Sequence, residues 1–364
     1  DAFPWYRVGT SGDGRPALVK AEVPETDLRR AIITFQCRIN SLDDDGGIEL
    51  RFSPDEKFEN YFYISMPVYS DPDFNILQAG EWQRFSYGLG NAGKKGNPDP
   101  SKIRYVSIYL ADNGKAPLLF DISNLELTPT THSPVLSYTF DDGYDDVLLA
   151  ADILKQYGQT ATAYIIPKAV GQPGYMSLAQ LRGLAQDGWG LSAHDVTPFT
   201  QLTPIDLRAE IDAIYSFFRQ AGLEDGMRHI AYPEGAQNRS YVLPEVRAAY
   251  DTARVAGGGM ETLPPGDPAL LRTFNVLNTT PVSEIKEQVA LAKENNQWLL
   301  LMFHYLHDAQ HPSDSPISYD IDKFRDVVKM VAEEGIAVLP VNKVWEDLAP
   351  RQKVAARQQS RASQ

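Results

Sequence analysis

The chain has 364 residues, more than one ordinary core holds, so two domains are expected, with apolar cores that need no covalent staples. Its 34 basic and 48 acidic residues leave a net charge of −14, which disfavours a nucleic-acid backbone or an anionic membrane as the main partner. The single cysteine, Cys37, excludes an internal disulfide framework and a cysteine-built zinc site, and the longest apolar run, WLLLMF at Trp298–Phe303, is too short to span a bilayer.

From Val19 to Leu127 short alternating runs are broken by turn clusters: AIITFQCRI, DDDGG, IELRFS, YFYISMPVY, RYVSIYLA, NGKAP and LLFDISNLEL. Alternation of period two without an intervening helix predicts an antiparallel β-sandwich of jelly-roll type over residues 1–127. Cys37 falls inside one of these runs and is expected to be structural. The order of the runs, with GEWQRFSYGL (Gly80–Leu89) and the closing FDISNLEL, resembles carbohydrate-binding sandwich modules. Tyr61, Tyr63, Tyr69 and Trp82 are candidates for a sugar platform there, with core filling the favoured alternative.

TPTTHSP, residues 128–134, combines prolines and hydroxyl residues and is expected to be a linker. Beyond it strands alternate with helical patterns: VLSYTF, helix 145–157; TATAYIIP, helix 177–186; WGLSAH, helix 204–220; HIAYP, helix 244–250; LRTFNVL, helix 282–295; WLLLMFH, helix 322–334; and finally IAVLPV. This βα rhythm over residues 135–349 predicts a distorted (β/α) barrel, and residues 350–364 a mobile tail.

Barrel enzymes carry their catalytic groups at the carboxyl ends of strands. Here those ends hold Asp141-Asp142, His194-Asp195, Tyr232-Pro233-Glu234-Gly235 and His304. Each alone has a structural alternative: a carboxylate pair before Gly143 caps a helix, and a lone histidine is often a satisfied polar group. Their succession along the barrel favours a site. TFDDG (Thr139–Gly143), GWGLSAHDVTP (Gly188–Pro198), AYPEGAQN (Ala231–Asn238) and LLLMFH (Leu299–His304) together resemble, in order and spacing, the motifs of the polysaccharide deacetylases of carbohydrate esterase family 4, the NodB-homology group.

The resemblance covers about Val135 to Asp347 and implies metal-assisted removal of acetyl groups from a polysaccharide or oligosaccharide. It implies Asp141 as the base that activates water, Asp142 and His194 as ligands of a divalent metal, zinc first with cobalt, nickel or manganese as alternatives, and His304 as the general acid. A backbone N–H at Glu234, beside Tyr232, would complete an oxyanion and substrate site. No protein partner is implied. Asp1, in place of an initiator Met, suits a mature secreted chain or a trimmed one, and the expected address is secreted, periplasmic or cell-envelope.

The family pattern is incomplete. Its second motif has a second metal-binding histidine four positions after the first, where this chain has Pro198 after Thr197, a neutral hydroxyl that binds zinc poorly. Asp195 is the tentative replacement, with Glu234, His307 and His311 as other candidates, and a smaller nitrogen share favours hard oxygen-preferring ions. The arginine that many members use to orient the catalytic aspartate corresponds to Ala231. These losses keep open a degenerate member that binds glycan with little hydrolysis. A metal-free glycoside hydrolase is disfavoured, because adjacent Asp141 and Asp142 do not flank a sugar at the roughly 5–9.5 Å such enzymes need. GGGMETLPPG (Gly257–Gly266) lacks the spacing of a phosphate loop and is expected to be a turn.

Overall fold

The computed structural model describes residues 5–43, 45–66, 68–69, 71–309 and 312–348, the side chain of residue 45 excepted. His311 and residues 350–364 lie outside the described residues. The chain divides into two compact units, Asp1–His132 with Pro265–Asp267 and Glu294–Asn296, and Ser133–Pro264 with Pro268–Lys293 and Gln297–Gln364. Among the described residues no helix is long and apolar enough to cross a membrane.

The strands of the first unit pair antiparallel: β1 (Trp5–Gly9), β2 (Ala17–Thr26), β3 (Ala31–Ile39), β4 (Asp45–Ser53), β5 (Tyr61–Ser65), β6 (Gln83–Tyr87), β7 (Gly93–Lys95), β8 (Ile103–Asp112) and β9 (Leu119–Pro129). They form two sheets, ordered β1-β9-β3-β6 and β2-β8-β4-β5-β7. Alternate residues from both sheets, among them Ile33, Phe35 and Cys37 of β3 and Ile48, Leu50 and Phe52 of β4, meet in one buried cluster, as period-two strands require. Cys37 is fully buried in that cluster. β9 runs into the stretch expected as linker, where Thr128 and Pro129 pair with Ile32 and Ala31 of β3. Among the described residues β1 pairs with β9 only as far as Ser123, so no second neighbour there calls on the N–H that proline lacks.

The second unit follows the predicted rhythm: β10 (Val135–Phe140), α1 (Val147–Lys155), β11 (Thr162–Ile165), α2 (Leu178–Gln186), β12 (Gly190–Ala193), α3 (Pro204–Ala221), β13 (His229–Ala231) and α4 (Val242–Ala249). It continues with β14 (Thr252–Gly258), β15 (Leu271–Asn275), α5 (Val282–Asn295), β16 (Trp298–Phe303), β17 (Tyr305–His307), β18 (Ser318–Asp320), α6 (Ile321–Glu334) and β19 (Ala337–Val338). The helices start and stop where local chemistry dictates. Ser177 and Gln180 form a reciprocal cap on α2, and Thr203 with Pro204 opens α3, which ends at left-handed Gly222.

β10 to β16 close into a parallel barrel. β10 pairs with β16 along its whole length, but on its other side it is shared: Val135 and Leu136 pair with β19, Thr139 and Phe140 with β11. That split is the distortion of the barrel, and it sets the carboxyl end of β10 firmly between β11 and β16. β14, absent from the predicted series, lies between α4 and β15.

Candidate active site

The site begins where β10 ends. The Asp141 N–H donates to the Phe303 carbonyl at 2.9 Å, extending the β10–β16 ladder past the last strand residue. Asp142 then takes φ 71° and Gly143 φ 86°, a left-handed reversal that an aspartate tolerates better than most residues and a glycine tolerates freely. The reversal separates two adjacent carboxylates. Asp141 is sealed in the barrel at 4% exposure, while the Asp142 side chain keeps 20% of its surface.

Asp141 does not lie in the interior uncompensated. The guanidinium of Arg254, on β14, hydrogen-bonds Asp141 Oδ2 in a fully buried ion pair. Arg254 is itself held by the Val255 carbonyl at 3.1 Å, the Met302 sulfur and the face of Tyr164, whose centroid is 5.0 Å away. Burial pushes the Asp141 carboxyl upward, but Arg254, with His194 and His304 nearby, outweighs it and leaves the group below its ordinary value. The second oxygen, Oδ1, is buried without a hydrogen-bond partner. One oxygen is anchored and the other is free to accept a proton.

His194 extends from β12 with its Nδ1 2.9 Å from the Ala231 carbonyl. A carbonyl only accepts, so Nδ1 carries the proton, and in the neutral ring Nε2 presents a lone pair. That Nε2 lies 3.4 Å from Asp142 Oδ1, another acceptor. Two acceptors face to face require a proton or a cation between them, and a divalent cation fits this donor chemistry, with the Ala231 carbonyl as the outer partner that fixes the ring. Burial opposes charge on the ring, but the hydrogen bond with Asp142 and the charges of Asp141 and Asp142 raise the His194 pKa overall.

Asp195 points elsewhere. Its Oδ1 accepts from the Val196 N–H at 2.8 Å and sits 3.7 Å from Lys168 Nζ, which in turn bridges to Glu210 at 2.7 Å. Among the described residues no three of His, Cys, Asp and Glu gather as a metal cluster, and Asp142 with His194 is the pair of facing acceptors at this end of the barrel. His304 follows β16, with its Nδ1 buried and unpartnered, in electrostatic reach of Asp141. His307 lies beyond it on β17. Glu234 stands exposed on a left-handed turn at φ 57° after β13. Tyr232 turns inward, 1% exposed, and its hydroxyl donates to the Ala269 carbonyl at 3.0 Å. Trp298 is fully buried, its Nε1 donating to Ser137 Oγ at 2.9 Å, which is a packing role. The stretch expected as a turn from Gly257 begins inside β14, whose last residue, Gly258, packs on Arg272, where a Cβ would come within 2.7 Å of the arginine Cγ.

Residues 128–253 match the family model described as polysaccharide deacetylase. Over that stretch the chain is similar to the polysaccharide deacetylases. YxkH of Bacillus subtilis (strain 168), whose name places it in the same family, is 29% identical over 174 residues, 45% of this chain. The chain spans 60% of the length of that relative. Among solved structures, the peptidoglycan deacetylase PdaC from Bacillus subtilis is 15% identical, covering 62% of this chain and 97% of its own, with a TM-score of 0.42. A family 4 acetyl xylan esterase from Clostridium thermocellum, in complex with a cobalt ion, is 16% identical, covering 58% and 90%, with a TM-score of 0.39.

In the second unit the residue that sequence reasoning missed is Arg254. The orienting arginine has no counterpart at Ala231, yet β13 pairs with β14 so that Ala231 and Arg254 stand opposite each other. A guanidinium therefore reaches Asp141 from the neighbouring strand. The signal was present as a lone charge within DTARVAG, an otherwise small and apolar run, but the run was not recognised as a strand.

Proposed function

We propose that the chain deacetylates an acetylated polysaccharide, an N-acetyl amino sugar or an O-acetyl glycan, by a hydrolysis in which Asp141 is the base and His304 the acid. The observation that carries this reading is the Asp141 carboxylate, with Oδ2 tied to Arg254 and Oδ1 unpartnered beside the facing acceptors of Asp142 and His194. Asp142 and His194 would hold a divalent cation, zinc first, which when bound polarises the acetyl carbonyl and lowers the pKa of water. Asp141 Oδ1 takes the proton from water as its oxygen attacks the acetyl carbon. The Arg254 ion pair keeps that carboxylate ionised and aimed. The N–H at Glu234 is proposed to meet the developing oxyanion, and His304 protonates the departing amine or alkoxide as the carbon–heteroatom bond breaks.

The first unit, as a jelly-roll-type sandwich, is proposed to bind the glycan, and a polysaccharide substrate supports a secreted, periplasmic or cell-envelope address. The test is metal content together with acetate release from N-acetylated and O-acetylated glycans, before and after chelation. Chelator-sensitive release abolished in Asp141→Asn supports the proposal. A second reading, a glycan binder with little hydrolysis, is favoured by the donor set of only Asp142 and His194 among the described residues. Absence of acetate release from both substrate classes at saturating zinc, cobalt or nickel would select it.

A further inference from the structure

On the five-stranded sheet of the first unit, Ile48, Leu50 and Phe52 of β4 and Phe62 and Ile64 of β5 belong to the core cluster. Alternation places Glu49, Arg51, Tyr61 and Tyr63 on the opposite face, and Tyr109 of β8 joins them as the partner of Glu49, with Tyr63 the partner of Arg51. These tyrosines therefore lie outside the inter-sheet cluster, Tyr61 buried and Tyr63 half-buried.

The group is built around one guanidinium. Arg51 Cζ lies 4.0 Å from the Tyr109 ring centroid and 4.9 Å from that of Tyr61, and its Nε donates to Glu49 Oε2 at 2.7 Å. The Arg51 and Glu49 side chains keep only 15% and 25% of their surface. Tyr63 meets Tyr61 edge-on at 6.1 Å and packs against Gly93, where a Cβ would be 2.3 Å from its Cζ. Any side chain at position 93 would displace that ring.

An arginine held for structure alone satisfies its fork of donors. Here, among the described residues, only Nε has a hydrogen-bond partner, and the two terminal nitrogens have none. Beside them Glu49 offers an unused oxygen. The pair thus presents donors and an acceptor side by side with little net charge, flanked by the half-buried rings of Tyr63 and Tyr109. Vicinal hydroxyls of a sugar both donate and accept, and the C–H face of a pyranose packs on aromatic rings. An anionic sugar would meet the Glu49 carboxylate at the same place. Preorganised rings and a clamped guanidinium lose little entropy on binding.

We infer that this face binds a neutral pyranose chain, with Arg51 and Glu49 holding vicinal hydroxyls and Tyr63 and Tyr109 supplying ring surface. The choice of a sugar rests on the proposed polysaccharide substrate; the donor and ring geometry does not. The experiment is affinity electrophoresis of the full chain in gels containing soluble xylan, glycol chitin or, as acidic comparator, polygalacturonate, run alongside acetate release from p-nitrophenyl acetate. Retardation by a neutral polymer, weakened tenfold or more in Arg51→Gln and in Glu49→Gln with acetate release unchanged, is expected. Urea unfolding of both variants accompanies the gels, and Glu49→Gln carries the test if Arg51→Gln is destabilised. Unaltered retardation in both variants, no retardation by either neutral polymer, or preference for polygalacturonate would overturn the inference. Arg51-dependent retardation without acetate release from any glycan would sink the catalytic proposal and leave this site standing.

Discussion

Replacing Arg254 with Met keeps much of the apolar stem but removes the one arginine or lysine that pairs with Asp141 among the described residues. Both side chains are sealed, 1% exposed for Arg254 and 6% for Asp141. Removing one partner of a buried pair leaves the other charge stranded and costs about 3–5 kcal/mol. For a unit of this size that is roughly a 6–20 °C loss in Tm. The decisive assay is a double-mutant cycle with Asp141→Asn, followed by urea and thermal unfolding. Each single variant strands a buried polar partner, whereas the double variant strands no charge, so it should be more stable than the sum of the singles predicts by about 2 kcal/mol or more. If Asp141 is the base, as proposed, kcat should fall on the order of 10²-fold for Arg254→Met, because the carboxylate loses its anchor. Additivity of the two substitutions within about 0.5 kcal/mol would refute the pairing and, with it, the account of how Asp141 is aimed.

Other consequences are measurable separately. Asp142→Ala and His194→Ala should each abolish zinc retention in equilibrium dialysis at micromolar metal, since each removes one of the facing acceptors; undiminished retention in either would place the ion elsewhere. His304→Ala should lower kcat on glycans by about 10²–10⁴-fold, and by less on an aryl acetate whose leaving group needs no proton. Burial pushes the Asp146 carboxyl from 3.8 up to about 7, so the folded state prefers the protonated acid. Its contribution is intact below about pH 4 and is lost as pH rises through 7, up to about 4 kcal/mol. Asp146→Asn should therefore match the parent at pH 4 and exceed it in urea midpoint at pH 8. A gain equal at both pH values would contradict this.

The fold was legible wherever a segment was long and uniform in period. α5 matches its expected range, and the ranges expected for α2, α3 and α6 differ by a residue or so, because caps such as Ser177, Thr203-Pro204 and Gly335 mark real ends. β14 was not legible. Its apolar part is short, contains an arginine and runs into consecutive glycines, so nothing in its composition separates it from a loop. The strand exists because β13 and β15 flank it, a tertiary cause. The strand ends that carry Asp141, Asp142, His194 and His304 were legible, because each follows a recognisable apolar run. The direction of Asp195 was not, since it is decided by Lys168 and Glu210 from other parts of the chain.

The Arg254 placement makes one more demand on the barrel. Opposed residues on neighbouring parallel strands share a face and stand about 4.8 Å apart, a small offset against the reach of an arginine side chain. Ala231 and Arg254 are such a pair, both buried, and the smaller residue leaves the volume that the longer one crosses. The exchange Ala231→Arg with Arg254→Ala conserves both volume and charge within that layer. It should recover much of the stability and part of the kcat lost in Arg254→Ala, because the guanidinium regains Asp141 from the other strand. Recovery will be incomplete, since the Val255 carbonyl, the Met302 sulfur and the Tyr164 ring are arranged around the β14 origin. If the exchanged protein is less stable than Arg254→Ala alone, the interior accepts the arginine only along its present path, and equivalence of the two positions is wrong.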